Sequence, residues 1–319
     1  MQRSEGKRCF GTQEIFLCIF RAVIRWFLPS FSCLLALFAE AQPYLDVASS
    51  TFAYSPDRLQ RWEIGFSVPL PIGKANDKVI LSPFWEEWKA TIPQHDEPSL
   101  PERSDRLTGW AIPVTWLHEL KNDRWKVLIT GIMRHNHIGP LARGDFQYGG
   151  ALIATYGRKP KLTWKAGCYA NGDAFGLFWL PLLGLDWRID DKHNVWGLLP
   201  GTMHYEHKAF KRFHWGIAFK AFTNSYGLRN GDFRRVDENQ IGVFGDLYLF
   251  QQNIVLRLEA GHTAFSQYQG GELDDRYAAQ GTGQYVDHLL GDGPYVKALL
   301  AFRVRLDTEQ KVRTDLGSP

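Results

Sequence analysis

Ile254-Val255-Leu256-Arg257-Leu258-Glu259-Ala260-Gly261 and Tyr295-Val296-Lys297-Ala298-Leu299-Leu300-Ala301-Phe302-Arg303-Val304-Arg305-Leu306 carry a side-chain pattern of period two. A β-strand points successive side chains to opposite faces, so this period reads as strand. In the first stretch Ile254, Leu256, Leu258 and Ala260 share one face, and Val255, Arg257, Glu259 and Gly261 the other. In the second, Val296, Ala298, Leu300, Phe302, Val304 and Leu306 oppose Tyr295, Lys297, Leu299, Ala301, Arg303 and Arg305. One face is oily throughout. The other mixes small and charged residues.

The same pattern runs outward along the chain. Trp62, Ile64, Phe66, Val68 and Leu70 alternate with Glu63, Gly65, Ser67 and Pro69. Stretches 125–134 and 215–222 alternate in the same way, and 44–54, 79–91, 106–118, 146–157, 162–170, 176–189, 195–206 and 240–250 do so less cleanly. Short polar connectors suited to hairpins separate them, among them Lys121-Asn122-Asp123, Asn171-Gly172-Asp173 and Asp190-Asp191-Lys192-His193. Longer connections fall at 92–105, 135–145, 229–238 and 269–293. No helical period interrupts the strands, which argues against parallel βαβ units. The count is thirteen strands. Bacterial single-chain membrane barrels have an even number, so the expected value is 12 without 44–54, or 14 with a further strand within 277–288.

Composition narrows the class. The chain has 319 residues, 37 Lys+Arg against 34 Asp+Glu, and 14% aromatic residues. That content excludes a disordered chain, and a net charge of +3 is too small for a nucleic-acid binder. A helical span needs about 20 consecutive apolar residues. After residue 41 the longest candidate, Gly176–Leu185, is shorter and carries Pro181.

The N-terminus reads as an export signal. Arg21 and Arg25 precede the apolar run Trp26–Phe38, and Ala39-Glu40-Ala41 follows. A basic region, a short apolar region and a small-x-small site describe a secretory signal peptide, with Ala39 and Ala41 marking cleavage. The leader is long, as expected of a start placed too far upstream. The expected division is a signal peptide over 1–41, a barrel over 42–307 and a polar tail over 308–319. Cys9, Cys18 and Cys33 leave with the leader, so Cys168 has no partner for an intramolecular disulfide.

Period alone does not distinguish a soluble β-sandwich from a membrane barrel. In the first the oily face points inward; in the second it meets lipid, and small and charged residues fill the lumen. Three features favour lipid. Many stretches reach the roughly 9–11 residues that a tilted membrane strand needs. Their polar faces mix Gly, Lys, Arg and Glu. Rings crowd the strand ends: Trp62, Trp85, Trp88, Trp110, Trp116, Trp125, Tyr156, Trp187, Trp196, Tyr205, Trp215 and Tyr226. Such rings favour a bilayer interface. The expected fold is therefore all-β, a single antiparallel transmembrane β-barrel of 12 to 14 strands.

The stretch 176–192 followed by 195–208 resembles a small group of uncharacterised Gram-negative outer-membrane β-barrel proteins. There a Pro-x-x-Gly-x-x-aromatic strand precedes a Leu-Pro strand ending near Tyr; here these are Pro181, Gly184, Trp187, Leu199-Pro200 and Tyr205. The resemblance implies the outer membrane as location and a porin-like barrel as fold, with no known activity. The expected partners are outer-membrane lipid and, during biogenesis, the barrel-assembly machinery. Many such barrels end on an aromatic residue, whereas this chain continues past Phe302 to Pro319.

Chemistry-bearing motifs are sparse. A His and a Ser two apart on a strand would share a face and form a nucleophile–base pair, as in lipid-active barrel enzymes; no His-x-Ser occurs. His262 and Ser266 share parity but lie too far apart along a strand for a hydrogen bond. His135 and His137 share a face without an obvious third ligand, and His204 and His207 point to opposite faces. Asp190-Asp191 and Asp274-Asp275 read as solvated turns rather than calcium loops. No catalytic, metal or cofactor residues are assigned. The charged strand residues Arg134, Lys165, Arg188, Lys220, Arg257, Glu259, Lys297, Arg303 and Arg305 are the candidate lumen lining. The expected function is a non-enzymatic outer-membrane barrel, either a narrow pore for an unidentified small solute or a structural or surface-binding barrel. The alternatives are a lipid-active barrel enzyme and a secreted soluble β-sandwich or barrel that binds carbohydrate.

Overall fold

The computed structural model describes residues 43–305 apart from 57, 73–76, 93–102, 123, 141–144, 160, 229–231, 273–283 and 290–291. Ala39, Ala41, Asp274, Asp275 and the 308–319 tail lie outside the described residues.

The chain is built from strands β1 (Tyr44–Ser55), β2 (Leu59–Phe66), β3 (Val68–Pro71), β4 (Lys78–Leu81), β5 (Phe84–Ile92), β6 (Arg103–Glu119), β7 (Trp125–Ile138), β8 (Phe146–Lys159) and β9 (Leu162–Asp173). They continue as β10 (Gly176–Arg188), β11 (His193–Leu199), β12 (Thr202–Phe210), β13 (Phe213–Gly227), β14 (Asp232–Leu249), β15 (Ile254–Glu272), β16 (Gln284–Leu289) and β17 (Gly293–Arg305). Antiparallel neighbours run from β1 through β2, β5 and then β6 to β15 in order, to β17, and β17 pairs back onto β1. The result is a closed barrel of 14 strands. β3 and β4 form a hairpin that prolongs β2 and β5 at one end, and β16 continues the line of β17 along the far part of β15. Closure rests on the register Tyr44↔Arg305 to Tyr54↔Val296, with one irregularity between Asp46 and Ala48.

The fourteenth strand comes from neither place expected. Residues 44–54 form a full wall strand, and β16 (Gln284–Leu289), which overlaps 277–288, adds no wall of its own. Instead the segment 195–206 is a hairpin. The chain reverses at Pro200-Gly201, so β11 and β12 pair from Leu198↔Thr202 to His193↔His207. Pro-Gly is a turn signal, and here it overrides the alternation on either side.

The faces are those of a membrane barrel. Leu258 is 61% exposed, while its neighbours Arg257 and Glu259 are 6% and 5% exposed. Val296 and Leu300 are 54% exposed, against complete burial of Arg303. Ile64 and Leu256 lie on the exposed side. The outer surface is therefore an oily belt and the inside is polar, the reverse of a soluble barrel. Backbone physics explains why the sheet closes: hydrocarbon offers no hydrogen-bond partner to an open strand edge.

Rings gather at two levels of that belt. Trp125 packs on Tyr156 at 4.8 Å and Tyr156 pairs with Trp164, near the end that carries both termini. Trp85 pairs with Trp110 nearer the other end. Three aromatics expected at the interface are instead inside: Trp88, Trp196 and Tyr226 are buried because they share parity with interior residues such as Glu86, Asn194 and Asn224. Two interior glycines, Gly242 and Gly261, are paired so that the Tyr295 ring can lie over them; a Cβ on Gly242 would sit 2.3 Å from the Tyr295 hydroxyl.

The connections differ between ends. Most of those at the termini end are short (189–192, 211–212), the β3–β4 hairpin being the exception, whereas the longer stretches 93–102, 139–145 and 273–292 connect strands at the opposite end. We call these the turn end and the loop end.

Leu258→Arg should cost about 2–4 kcal/mol of folding stability in bilayers, because it places a charge on the lipid face. Denaturant unfolding of the vesicle-inserted protein measures this; an unchanged midpoint would mean that Leu258 does not face lipid.

Candidate functional site: a divided lumen

The interior near the turn end is an ion-pair network. Arg303, without solvent exposure, donates through Nε and Nη2 to the Asp46 carboxylate at 2.5 and 2.9 Å, and through Nη1 to Asp246 at 2.7 Å. Arg257 grips the same Asp246 in a two-pronged contact at 2.6 and 2.8 Å. Arg305 forks onto Glu206 at 2.7 and 3.0 Å and also donates to the Tyr248 hydroxyl. The Tyr44 ring lies 3.5 Å beneath the Arg303 guanidinium. Two-pronged arginine–carboxylate contacts fix geometry as well as charge. Together they bind β1, β12, β14, β15 and β17 across one side of the lumen.

A second group occupies mid-barrel. Arg61 bonds to Glu63 and, at 3.1 Å, to Glu86, and its guanidinium lies 4.7 Å over the Trp88 ring. Lys297 and the Tyr295 hydroxyl share Glu259, at 2.6 and 2.7 Å. Lys220 stands 3.8 Å from Glu63, and Lys165 bonds to Asp186 at 2.6 Å. Arg134 donates to Asn224 at 3.2 Å. Arg188 is half-buried, two residues along β10 from Asp186. Thus the named cations are each set among interior acids or amides. The acids Asp46, Glu86, Asp186, Glu206 and Asp246 carry as much of the network and were missed by sequence reading. Their signal was parity: each sits two residues from another interior side chain.

The third feature has no counterpart in the sequence pattern. The tip of β13, still paired with β14 but without β12 on its other side, reaches across to β7, so that Gly227 meets His137, far around the ring. Asn136 and Gln147 both donate to the Ser225 carbonyl at 3.0 Å. The Ser225 hydroxyl donates to Asp173 at 3.1 Å and accepts the Ala174 amide at 2.9 Å. Asn224 and the Tyr226 hydroxyl donate to Glu86 at 2.9 and 3.1 Å. Beyond this septum Leu59, Trp88, Ala90, Leu107, Tyr226, Val236 and Tyr268 form an apolar cluster at the loop end. On its turn-end side lies a cavity of about 370 Å³, lined among others by Asp46, Arg61, Glu63, Glu86, Arg134 and Lys220.

The histidine motifs are dispersed. His262 is exposed and Ser266 buried, because a bulge opposite Glu238, with Phe265 at φ 55°, reverses the parity that the sequence implies. His135 stacks on Trp110 with ring centres 5.6 Å apart and also touches His137 and Phe146. His207 stacks on His193, whereas His204 stacks on the buried Trp196. Asp190 accepts the amides of Lys192 and His193, as a turn residue does.

No known protein family matches the chain, and no curated protein matches it. Similar solved structures include the NanC porin, at 8% identity over 81% of this chain and 100% of that one, with a TM-score of 0.38. CdiB from Escherichia coli shows 10% identity over 84% and 69% of the two chains, with a TM-score of 0.29. A mutant porin of Rh. blastica shows 7% identity over 81% and 98%, with a TM-score of 0.25. At these values the barrel stands on its own strand ladder.

Asp246→Ala should destabilise the barrel by about 3–5 kcal/mol, since it leaves Arg257 buried without its carboxylate. Adding Arg257→Met should recover part of that loss. Urea unfolding of the refolded protein reads both; equal midpoints for wild type and the single variant would show the network to be dispensable.

Proposed function

We propose that the chain is an outer-membrane barrel that acts as a normally closed, narrow pore for small polar solutes and carries out no chemistry of its own. The oily belt and polar lumen support the membrane setting. Barrels of this kind place short turns and the termini in the periplasm and long loops outside. The cavity would then be a vestibule reached from the periplasmic side.

One observation carries the pore reading. The vestibule ends on the β13 tip, which keeps its ladder with β14 along one edge but is held toward β5, β7 and β8 chiefly by side-chain hydrogen bonds. Loosening a few residues there would join the vestibule to the loop end. The vestibule lining offers three acids, Asp46, Glu63 and Glu86, and three bases, Arg61, Arg134 and Lys220. Such balance favours small neutral or zwitterionic solutes over strongly charged ones. A second reading, a structural or surface-binding barrel, is favoured by the Arg303–Asp246–Arg257 contacts that fill the other side of the lumen.

Planar-bilayer recording separates the two. The wild type should be closed for most of the record, and Asn136→Ala combined with Gln147→Ala should raise open time by about tenfold, the effect of roughly 1.4 kcal/mol of lost hydrogen bonding. A folded double variant that stays silent rejects the pore and leaves the structural barrel.

A further inference from the structure

The turn end is charged. Its connections at 120–124, 158–161, 189–193 and 208–212 lead from β6 to β7, β8 to β9, β10 to β11 and β12 to β13. Between them they hold nine Lys and Arg against three Asp. The connections at the loop end, 56–58, 93–102, 139–145, 228–231, 273–283 and 290–292, hold eight Asp and Glu against four Arg. The whole chain is close to neutral, so this is a separation of charge between the ends and not a general excess.

The four basic turns form one arc. The Arg124 carbonyl accepts the Gly157 amide at 2.8 Å, the Lys161 carbonyl accepts the Arg188 amide at 2.8 Å, and the Lys192 carbonyl accepts the Lys208 amide at 2.9 Å. Each turn is thereby tied to the next, from β6 round to β13. Lys121, Arg124, Lys159, Lys161, Lys211 and Arg212 are exposed and form no ion pair among the described residues. Asp190, an acid within the arc, turns its carboxylate to the amides of Lys192 and His193. Like charges crowded on one rim repel, and negative charge from outside the chain relieves that repulsion.

Depth identifies the source of that charge. On the outer face Lys159 pairs with Leu162, and Leu162 with Trp187. Trp125 follows Arg124 directly, and Trp125, Trp164 and Trp187 are all exposed. Such rings settle where acyl chains meet headgroups, so the cations beside them stand level with lipid phosphates. Long Lys and Arg stems lie along apolar surface while the charged tips reach that level. Phe210, 73% exposed between Lys208 and Lys211, adds an apolar contact at the same rim. A soluble acidic partner would leave these rings without a role.

We infer that this arc is a binding surface for anionic glycerophospholipids, whose headgroups pair with the exposed Lys and Arg while their chains pack on Trp125, Trp164 and Trp187. Clusters of about four to eight Lys and Arg beside a membrane hold acidic lipids in this way. A zwitterionic lipid carries the same phosphate but neutralises it with its own ammonium, so the arc selects lipids of net negative charge. The inference rests on the membrane-spanning reading and not on conduction. It adds the lipid class and the place on the wall where that class gathers.

Tryptophan quenching tests it. The full barrel is inserted into vesicles of phosphatidylcholine and phosphatidylglycerol, with brominated chains on one lipid or the other in turn. Brominated phosphatidylglycerol should reach half-quenching at about fivefold lower mole fraction than brominated phosphatidylcholine, the effect of roughly one cation at the surface. Changing the six exposed cations to Gln should bring the two lipids to parity, and so should about 1 M salt, which screens the arc. If the sixfold variant does not insert, Lys159→Gln with Lys161→Gln should reduce the preference by about half. Equal quenching by both lipids, in a wild-type protein that has inserted, overturns the inference and leaves the membrane barrel standing. Equal quenching with salt-sensitive binding of soluble polyglutamate gives the arc to an acidic macromolecule and overturns it too. A preference that survives both salt and the Gln variants does not come from the arc and likewise overturns it. No quenching by either lipid, from a protein that stays dispersed without detergent, overturns the membrane-spanning reading itself.

Discussion

Hydrocarbon supplies no partner for a peptide N–H or C=O, and the architecture follows from that constraint. A sheet in lipid must return to its own first strand. Here the return is the β17 to β1 ladder, and the residues that seal it on the inside are Asp46 on β1 and Arg303 on β17, joined by two short hydrogen bonds. Closure also sorts the side chains. Once the outer face belongs to lipid, charges within the oily belt turn inward, and they need partners there because an isolated buried charge is costly; charges on the outer face, such as Lys89 and Arg106, stand toward the loop ends of β5 and β6. The lumen is consequently crowded with arginine–carboxylate contacts rather than open.

Crowding is not uniform, and the differences define the sites. One side of the lumen is locked by Asp246, shared between Arg257 and Arg303, and by Glu206, held by Arg305. The opposite side holds a vestibule. Between the vestibule and the inner face of β8 to β10 stands the β13 tip, a short stretch that keeps β14 as a neighbour but has lost β12. Its inward course and the low turn at Pro200-Gly201 are two parts of one event. With β12 ending at Thr202, residues beyond Lys220 on β13 have lost a neighbour. They bend inward, and the Ser225 carbonyl is satisfied by Asn136 and Gln147 instead. Strand β10, which has no β11 neighbour beyond Leu183, stays in the wall with Pro181 on its edge.

Much of the fold was legible in the residues. The alternation at 254–261 and 295–306 gives both the strands and the identity of the outward face, since Leu258 and Leu300 are outside and Arg257 and Arg303 inside. Less was legible where two signals compete. At 195–206 the alternation concealed the Pro-Gly turn, and at His262 to Ser266 a bulge reversed the parity that counting by twos assigns. Trp88, Trp196 and Tyr226 read as interface rings because ring type alone does not say which face a strand presents.

The sequence by itself determined the strand period, the oily and charged faces and the near-balance of charge, because these are local properties of neighbouring residues. Only the tertiary structure decided which acid meets which base, where the wall falls short and which strand crosses the lumen. Those contacts join residues far apart in the chain, such as Asp46 with Arg303 and Glu86 with Tyr226. Their pairing depends on the register accumulated around all 14 strands, and one turn or one bulge shifts it for every strand that follows.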